Sequence, residues 1–222
     1  MVELGRIEKP EAESFTGKRK LYCVSNIYPL EDASDEYKDL CNRYWDEVTQ
    51  QIEKLEAIGK IKKIFYENIY IQGEEALNLL EKMNEKAHQI IKRKIEEGAM
   101  LLPIEDEDML GRFIDWSNCL RIVRKKEVFD KILEFYTEII NQRIQHILKA
   151  IDSNLSENEA GLFIIRDEDR IKIQFPKDIE VFLVTPPSYD NILKWLREKW
   201  KEIYKEKTKE ETGEEEKKSE PS

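Results

Sequence analysis

The sequence predicts an α+β or α/β domain, in which a mixed sheet of five or six strands packs against four or more long helices. Two patterns indicate this class. Apolar residues recur at three- and four-residue spacing in several long segments, which is typical of helices with one buried face. Short runs rich in β-branched and aromatic residues alternate with these segments and predict strands. Only 8 of the 222 residues are glycine, which suits long helices with few flexible loops.

The first half of the chain alternates strand and helix. Strands are predicted over residues 20–28, 60–72 and 99–104. The first helix begins after an N-cap at Ser34 or Asp35 and ends at Gly59. A second long helix is predicted from about Glu74 to Gly98.

The second half of the chain adds helices and a hairpin. A third long helix is predicted over about 126–152. The run LFIIRDEDRIKIQF (162–175) predicts a hairpin that turns at Asp167, Glu168 and Asp169. A further strand follows in DIEVFLVT, and Pro186 and Pro187 then mark the start of a last helix.

We expect a single domain over residues 19–204, because no linker rich in Pro, Gly or Ser interrupts the middle of the chain. An N-terminal arm (1–18) precedes it. A charged, low-complexity tail (205–222) follows it and is expected to be disordered.

Composition narrows the classes of function. A net charge of −10 is unfavourable for general binding to phosphate backbones, so nucleic acid is not the expected partner. Neither a signal-peptide pattern nor a run of about twenty apolar residues occurs, which predicts a cytoplasmic protein without a membrane segment. Cys23, Cys41 and Cys119 are scattered and predict free thiols. The 38% of charged residues resembles the enrichment seen in thermophilic proteins.

The segment IEDEDMLGRFIDWSNCL (104–120) is the most conspicuous candidate site. If it is helical, Asp108, Arg112 and Asp115 fall on one face, and the preceding acids occupy the positive end of the helix. This favours helix capping and an ordinary ion-pair ladder. The alternative is a functional carboxylate site, with Asp108 and Asp115 binding a divalent metal ion and Asp115 acting in catalysis.

Glu67 is a second candidate catalytic residue. In a continuous strand over 61–71 its side chain shares a face with Phe65, Ile69 and Ile71. If that face is buried, desolvation raises the pKa of the carboxyl unless a cation meets it. A turn at Glu67 and Asn68 would instead return the side chain to water.

No standard catalytic or nucleotide-binding motif occurs, and His88 and His146 lack neighbours at metal-ligand spacing. No cofactor is therefore predicted. The last helix carries Trp195 and Trp200 among basic residues; packing on the sheet explains this pattern best, and contact with a partner is the alternative.

The leading functional hypothesis is an interaction or scaffold protein without catalysis, with a protein partner or self-association through a helical face. The first alternative is a carboxylate- or metal-dependent hydrolase using Glu67, Asp108 and Asp115. The second alternative is an RNA- or ribosome-associated protein that binds through a local basic patch.

Overall fold

The computed structural model describes residues 17–30 and 33–218, with side chains as far as residue 202. Its centre is a five-stranded sheet in the order β3-β2-β4-β1-β5, in which every neighbouring pair is parallel. The strands are β1 (Arg19–Ser25), β2 (Ile61–Tyr66), β3 (Met100–Leu102), β4 (Ala160–Ile165) and β5 (Ile179–Val184). The α/β prediction is therefore confirmed, and the sheet is parallel throughout rather than mixed.

Seven helices occur within the described residues. They are α1 (Asp35–Leu55), α2 (Glu74–Met83), α3 (Glu85–Glu96), α4 (Glu107–Ile122), α5 (Lys126–Asn154), α6 (Asp167–Arg170) and α7 (Pro187–Lys218). Ser34 is the N-cap of α1, with its side chain accepting a hydrogen bond from the amide of Tyr37. The predicted helix over 126–152 is confirmed by α5. None of these helices has the length and apolar composition of a membrane-spanning segment.

The sheet is covered on both faces, which explains the continuous apolar runs of its strands. One face carries Tyr22, Ile64 and Leu162 and packs against α1, α2, α3 and α7. The opposite face carries Phe65 and Phe163 and packs against α4 and α5. The two hydrophobic cores therefore lie on either side of the sheet.

The predicted hairpin in residues 162–175 is wrong. After β4 the chain forms the short helix α6 and then returns to pair β5 in parallel with β1. The acids expected at the turn have tertiary partners instead: Asp167 accepts from Ser25, and Asp169 accepts from Arg143. Ile171, expected in the second strand, is 72% exposed. Period-two alternation alone could not reveal these partners.

The single helix predicted from Glu74 to Gly98 is also wrong, because it is broken at Asn84. This residue has extended backbone angles (φ −158°, ψ 92°) and separates α2 from α3. Its side chain caps α3 by accepting from the amide of Ala87. The apolar periodicity continues across the break, so it predicted the buried face but not the interruption.

The ends of the chain are described only in part. Residues 1–16 of the predicted arm lie outside the described residues. The backbone of α7 runs as a helix to Lys218, whereas side chains beyond residue 202 and residues 219–222 lie outside the description. The domain boundaries at 19 and 204 and the disorder of the tail stay predictions.

Candidate ligand-binding cleft

The carboxyl edge of the sheet carries a row of polar side chains. Asn26 directly follows β1, Glu67 directly follows β2, and Arg166 directly follows β4. Glu105 comes shortly after β3. Because all strands are parallel, these residues meet at one edge, where open α/β sheets bind ligands. The chain leaves β2 towards α2 on one face and leaves β3 towards α4 on the other, which opens a crevice between these two helices.

Glu67 is fully buried and accepts four hydrogen bonds. Its Oε1 accepts from the amide nitrogen of Asn26 (2.8 Å) and the hydroxyl of Tyr28 (3.0 Å). Its Oε2 accepts from the backbone N–H and the Nε of Arg166, both at 3.2 Å. The chain does turn at Asn68, where φ is 66°, yet the turn leaves the Glu67 carboxylate inside the protein. The prediction that the Glu67 side chain is buried is therefore right, although the strand ends at Tyr66. The prediction of a turn at Asn68 is also right, but the turn does not return the side chain to water.

Asn26 extends this network towards α3. Its amide nitrogen also donates to Tyr66 Oη at 2.8 Å. Its carbonyl accepts from Asn84 Nδ2 at 3.0 Å, and the same nitrogen of Asn84 donates to the backbone carbonyl of Ile27 at 3.0 Å. The break between α2 and α3 thus places a buried amide against the end of β1.

Arg143 is the centre of a second buried cluster on the opposite face of the sheet. Its guanidinium, 1% exposed, contacts both carboxylate oxygens of Glu105, with Nε at 2.9 and 3.0 Å from them. Its Nη1 donates to Asp169 Oδ2 at 2.6 Å. The guanidinium also lies over the ring of Phe113, 4.7 Å from its centroid. Two hydrogen-bonded acids and an aromatic face therefore fix this cation.

The two clusters join at the carboxyl edge. Arg166, bound to Glu67, lies 3.6 Å from Asp169 Oδ2 through its Nη2. Lys172 donates to the other oxygen of Asp169 at 3.1 Å. The network holds three acids and three cations, so it is electrically balanced although it is largely buried.

Burial and pairing shift the acids in opposite directions. Desolvation raises the pKa of Glu67, and the Arg166 guanidinium and the hydrogen-bond donors oppose that rise only in part. Burial alone would also raise the pKa of Asp169, but Arg143 and Lys172 hold it below the usual range. The charge of Asp169 is therefore stabilised by the fold, whereas that of Glu67 is penalised.

A cleft of about 400 Å³ opens beside this network, between α2 and α4. Its polar wall includes the cations Arg121, Arg166 and Lys172 and the acids Glu168 and Asp169. Its apolar wall is formed by Tyr70, Leu79, Met83, Leu110, Phe113, Ile114 and Tyr136. Glu67 is not part of the wall, although its neighbour Asn68 is. The cleft therefore combines a polar wall of three cations and two acids with an apolar, partly aromatic wall.

The acidic segment 105–108 is divided between different roles. Glu105 is buried against Arg143, and Asp106 caps α4 by accepting from the amide of Met109. Asp108 is exposed and pairs with Arg112 at 3.0 Å. The predicted capping and the Asp108–Arg112 pair are confirmed, whereas the predicted ladder does not extend from Arg112 to Asp115.

Glu67, Asp108 and Asp115 are not brought together by hydrogen bonds or ion pairs. Asp108 and Asp115 lie exposed on α4, while Glu67 is buried behind Arg166. Among the described residues no group of three or more His, Cys, Asp or Glu side chains is placed to hold a metal ion. The catalytic role of Glu67 and Asp115 and the metal role of Asp108 and Asp115 stay predictions.

The tryptophans of the last helix differ in their surroundings. Trp195 is half-buried, with its ring centroid 4.6 Å from that of Tyr37, and its Nε1 donates to Glu36 at 3.2 Å. Trp200 is 68% exposed. Packing of α7 on α1 therefore accounts for Trp195, and a partner-binding role for either tryptophan stays a prediction. Cys23 and Cys41 are buried free thiols, as predicted, and Cys119 is a half-buried one.

Sequence reasoning missed Arg143, Asn84 and Arg166. A signal existed for Arg143, because it lies in the apolar stripe of α5 between Ile140 and Ile147, where a charged residue must find a buried partner. Asn84 similarly occupies a polar position within an apolar helical stripe, between Leu80 and Ala87. No local signal distinguishes Arg166, because its role depends on the adjacency of β2 and β4.

Comparison of the chain with protein-family models, curated proteins and solved structures finds no match.

Proposed function

We propose that this protein binds a small organic anion in the cleft between α2 and α4. The observation that carries the proposal is the position of the cleft. It lies at the carboxyl edge of a parallel sheet, where the chain leaves two adjacent strands towards opposite faces. Open α/β sheets bind their ligands at this point because the diverging loops leave a crevice there.

The polar wall supports an anionic ligand, because its three cations outnumber its two acids, Glu168 and Asp169. Arg121 is exposed at the cleft and has no ion-pair partner among residues 17–30 and 33–202. Arg166 uses its Nε to bind Glu67, which leaves Nη1 without a partner in the same part of the chain. Two guanidinium groups that retain donor capacity beside one cavity favour a carboxylate or a phosphate.

The aromatic wall supports a ligand with a flat or apolar part. Tyr70, Phe113 and Tyr136 line the cleft, and Phe113 stacks on Tyr136 with centroids 5.6 Å apart. In this proposal Glu67 does not touch the ligand. It is a positioning residue, which holds the guanidinium of Arg166 in place.

Binding is tested by isothermal calorimetry with phenyl phosphate and adenosine monophosphate, using phosphate alone and adenosine alone as comparison probes. We expect at least one of the two organic phosphates to bind more tightly than phosphate or adenosine. Arg121→Ala lowers the affinity about tenfold or more, because it removes a charge-assisted contact.

Arg112→Ala is the matched control. Arg112 lies on the same helix, is exposed, pairs with Asp108 and does not line the cleft. Its loss is expected to leave the affinity unchanged. Absence of binding by both organic phosphates, or equal affinity in the Arg121→Ala variant and the wild type, contradicts the proposal.

A further inference from the structure

The outer half of α5 extends beyond the core of the domain. From Ile139 onwards the helix packs on the sheet through a series of buried isoleucines. Its first thirteen residues, 126–138, include no fully buried residue and contact α4 along one side. At 1.5 Å per residue, this outer half is about 20 Å long.

An apolar stripe continues along this outer half. Phe129, Leu133 and Tyr136 extend the spacing of Ile140, Ile144 and Ile147 towards the N-terminus of α5. Phe129 is 37% exposed and Leu133 is 40% exposed, whereas the isoleucines of the same stripe are buried. The isoleucines of the stripe are thus covered by the sheet and Tyr136 is half-buried against Phe113 of α4, whereas Phe129 and Leu133 are exposed.

Opposite charges lie at the two ends of the same segment. Arg124 and Lys125, which directly precede α5, and Lys126 form a basic group, the basic end, beside Glu127, and none of these four residues has an ion pair within the side chains that the structure describes. A shallow groove further along α5 is lined by Leu133 together with Asp130, Glu134 and Glu138. Glu134 already pairs with Lys131, so Asp130 and Glu138 are the acids of this groove without an ion pair among the described side chains.

We propose that the outer half of α5 is the interface of a homodimer, in which two copies of the helix pack antiparallel across a two-fold axis. In this arrangement the basic end of each copy lies against the acidic groove of the other, and the Phe129 and Leu133 side chains meet in the middle. The charge pattern is self-complementary only in the antiparallel sense. A polyanion would match the basic end but would be repelled by Asp130 and Glu138.

The first test compares two leucines on different exposed surfaces by light scattering after size-exclusion chromatography. The wild type is expected to be a dimer. Leu133→Asp gives a monomer, because it places a charge in the centre of the interface. Leu183→Asp is the control, since Leu183 is 53% exposed on the edge strand β5, and it leaves the dimer intact. Circular dichroism of both variants checks that the fold is retained.

The second test exchanges charges across the interface. Lys126→Glu and Glu138→Lys each raise the dimer dissociation constant about tenfold or more, because like charges then face each other. The double variant restores the wild-type value, since the pairing is re-formed with opposite polarity. This rescue distinguishes a specific antiparallel contact from a general effect of charge.

Three results would overturn the proposal. The first is a monomeric wild type at the highest accessible concentration. The second is a dimer that survives Leu133→Asp; its dissociation in Leu183→Asp would in addition place the interface at the sheet edge. The third is a monomer that binds an oligonucleotide through the basic end with strong salt dependence.

Discussion

Arg143 is expected to contribute strongly to the stability of the protein. Its guanidinium is buried and pairs with both Glu105 and Asp169. Removing one partner of a buried ion pair leaves a desolvated charge without compensation, which is far more costly than losing an exposed pair. We expect Arg143→Met to lower the free energy of unfolding by about 3–5 kcal/mol, measured by chemical denaturation.

The control for this prediction is an exposed ion pair on α4. Arg112 pairs with Asp108, and their side chains are 50% and 79% exposed. Arg112→Met is expected to cost less than about 1 kcal/mol, because water screens the pair. Equal losses in the two variants would show that burial does not set the strength of these pairs.

The contributions of Asp169 and Glu67 to stability are expected to change in opposite directions with pH. The pKa of Asp169 is held below its ordinary value of 3.8, so its contribution to stability is present above that pH and is lost as the pH falls through the lower, folded-state value. The pKa of Glu67 is raised above 4.5 by burial, so its protonation favours the folded state as the pH falls.

Two amide variants test these signs. When the pH is lowered from about 7 to about 3, the free energy of unfolding should fall less in Asp169→Asn than in the wild type. It should fall more in Glu67→Gln than in the wild type. The measurement is urea denaturation at both pH values, compared as the difference within each variant. A change of the same sign in both variants contradicts the assignment.

At the scale of elements, the break between α2 and α3 predicts a large effect of one substitution on stability. Asn84 caps α3 and donates two buried hydrogen bonds, to Asn26 and to the carbonyl of Ile27. Asn84→Ala removes the cap and leaves buried acceptors unpaired. We expect a loss of about 2–4 kcal/mol in the free energy of unfolding.

Ser34→Ala provides the comparison, because Ser34 caps α1 through a single hydrogen bond of 3.4 Å. Its loss is expected to cost about 1 kcal/mol by thermal or chemical unfolding. If the two substitutions cost the same, Asn84 acts only as a cap and the bond to Asn26 contributes nothing.

The elements themselves show how far sequence patterns reach. Helix α1 begins at Asp35 as its Ser34 cap predicts, because capping is a contact between residues three apart. The hairpin at 162–175 fails for the converse reason. The turn residues Asp167 and Asp169 bind Ser25 and Arg143, which are distant in sequence, and these contacts favour α6 over a second strand.

At the scale of the whole molecule, the packing between the sheet and the helices is close at Gly161. Gly161 lies in β4, between β1 and β2, and a Cβ added there would lie 3.1 Å from both Leu21 Cδ1 and Phe65 Cε2. Gly161→Ala is expected to cost about 1–3 kcal/mol of unfolding free energy, because two buried side chains must shift.

Gly111 is the matched control for this substitution. It lies exposed within α4, and an added Cβ would meet nothing within 4 Å. Gly111→Ala should raise the free energy of unfolding by about 0.5–1 kcal/mol, because alanine favours the helix. Both variants are measured by chemical denaturation. If steric crowding outweighs backbone freedom at Gly161, the free energy of unfolding falls in Gly161→Ala and rises in Gly111→Ala.

The sequence alone determined the alternation of strands and helices and most of the buried face of each element, since these depend on residues a few positions apart. It also marked Glu67 as a carboxylate that shares a strand face with Phe65, but left open whether that face is buried. Strand order, the parallel direction of β5 and the meeting of Glu67 with Arg166 were decided only in the tertiary structure. They depend on which strands lie side by side, and Glu67 and Arg166 meet only because β2 and β4 are neighbours.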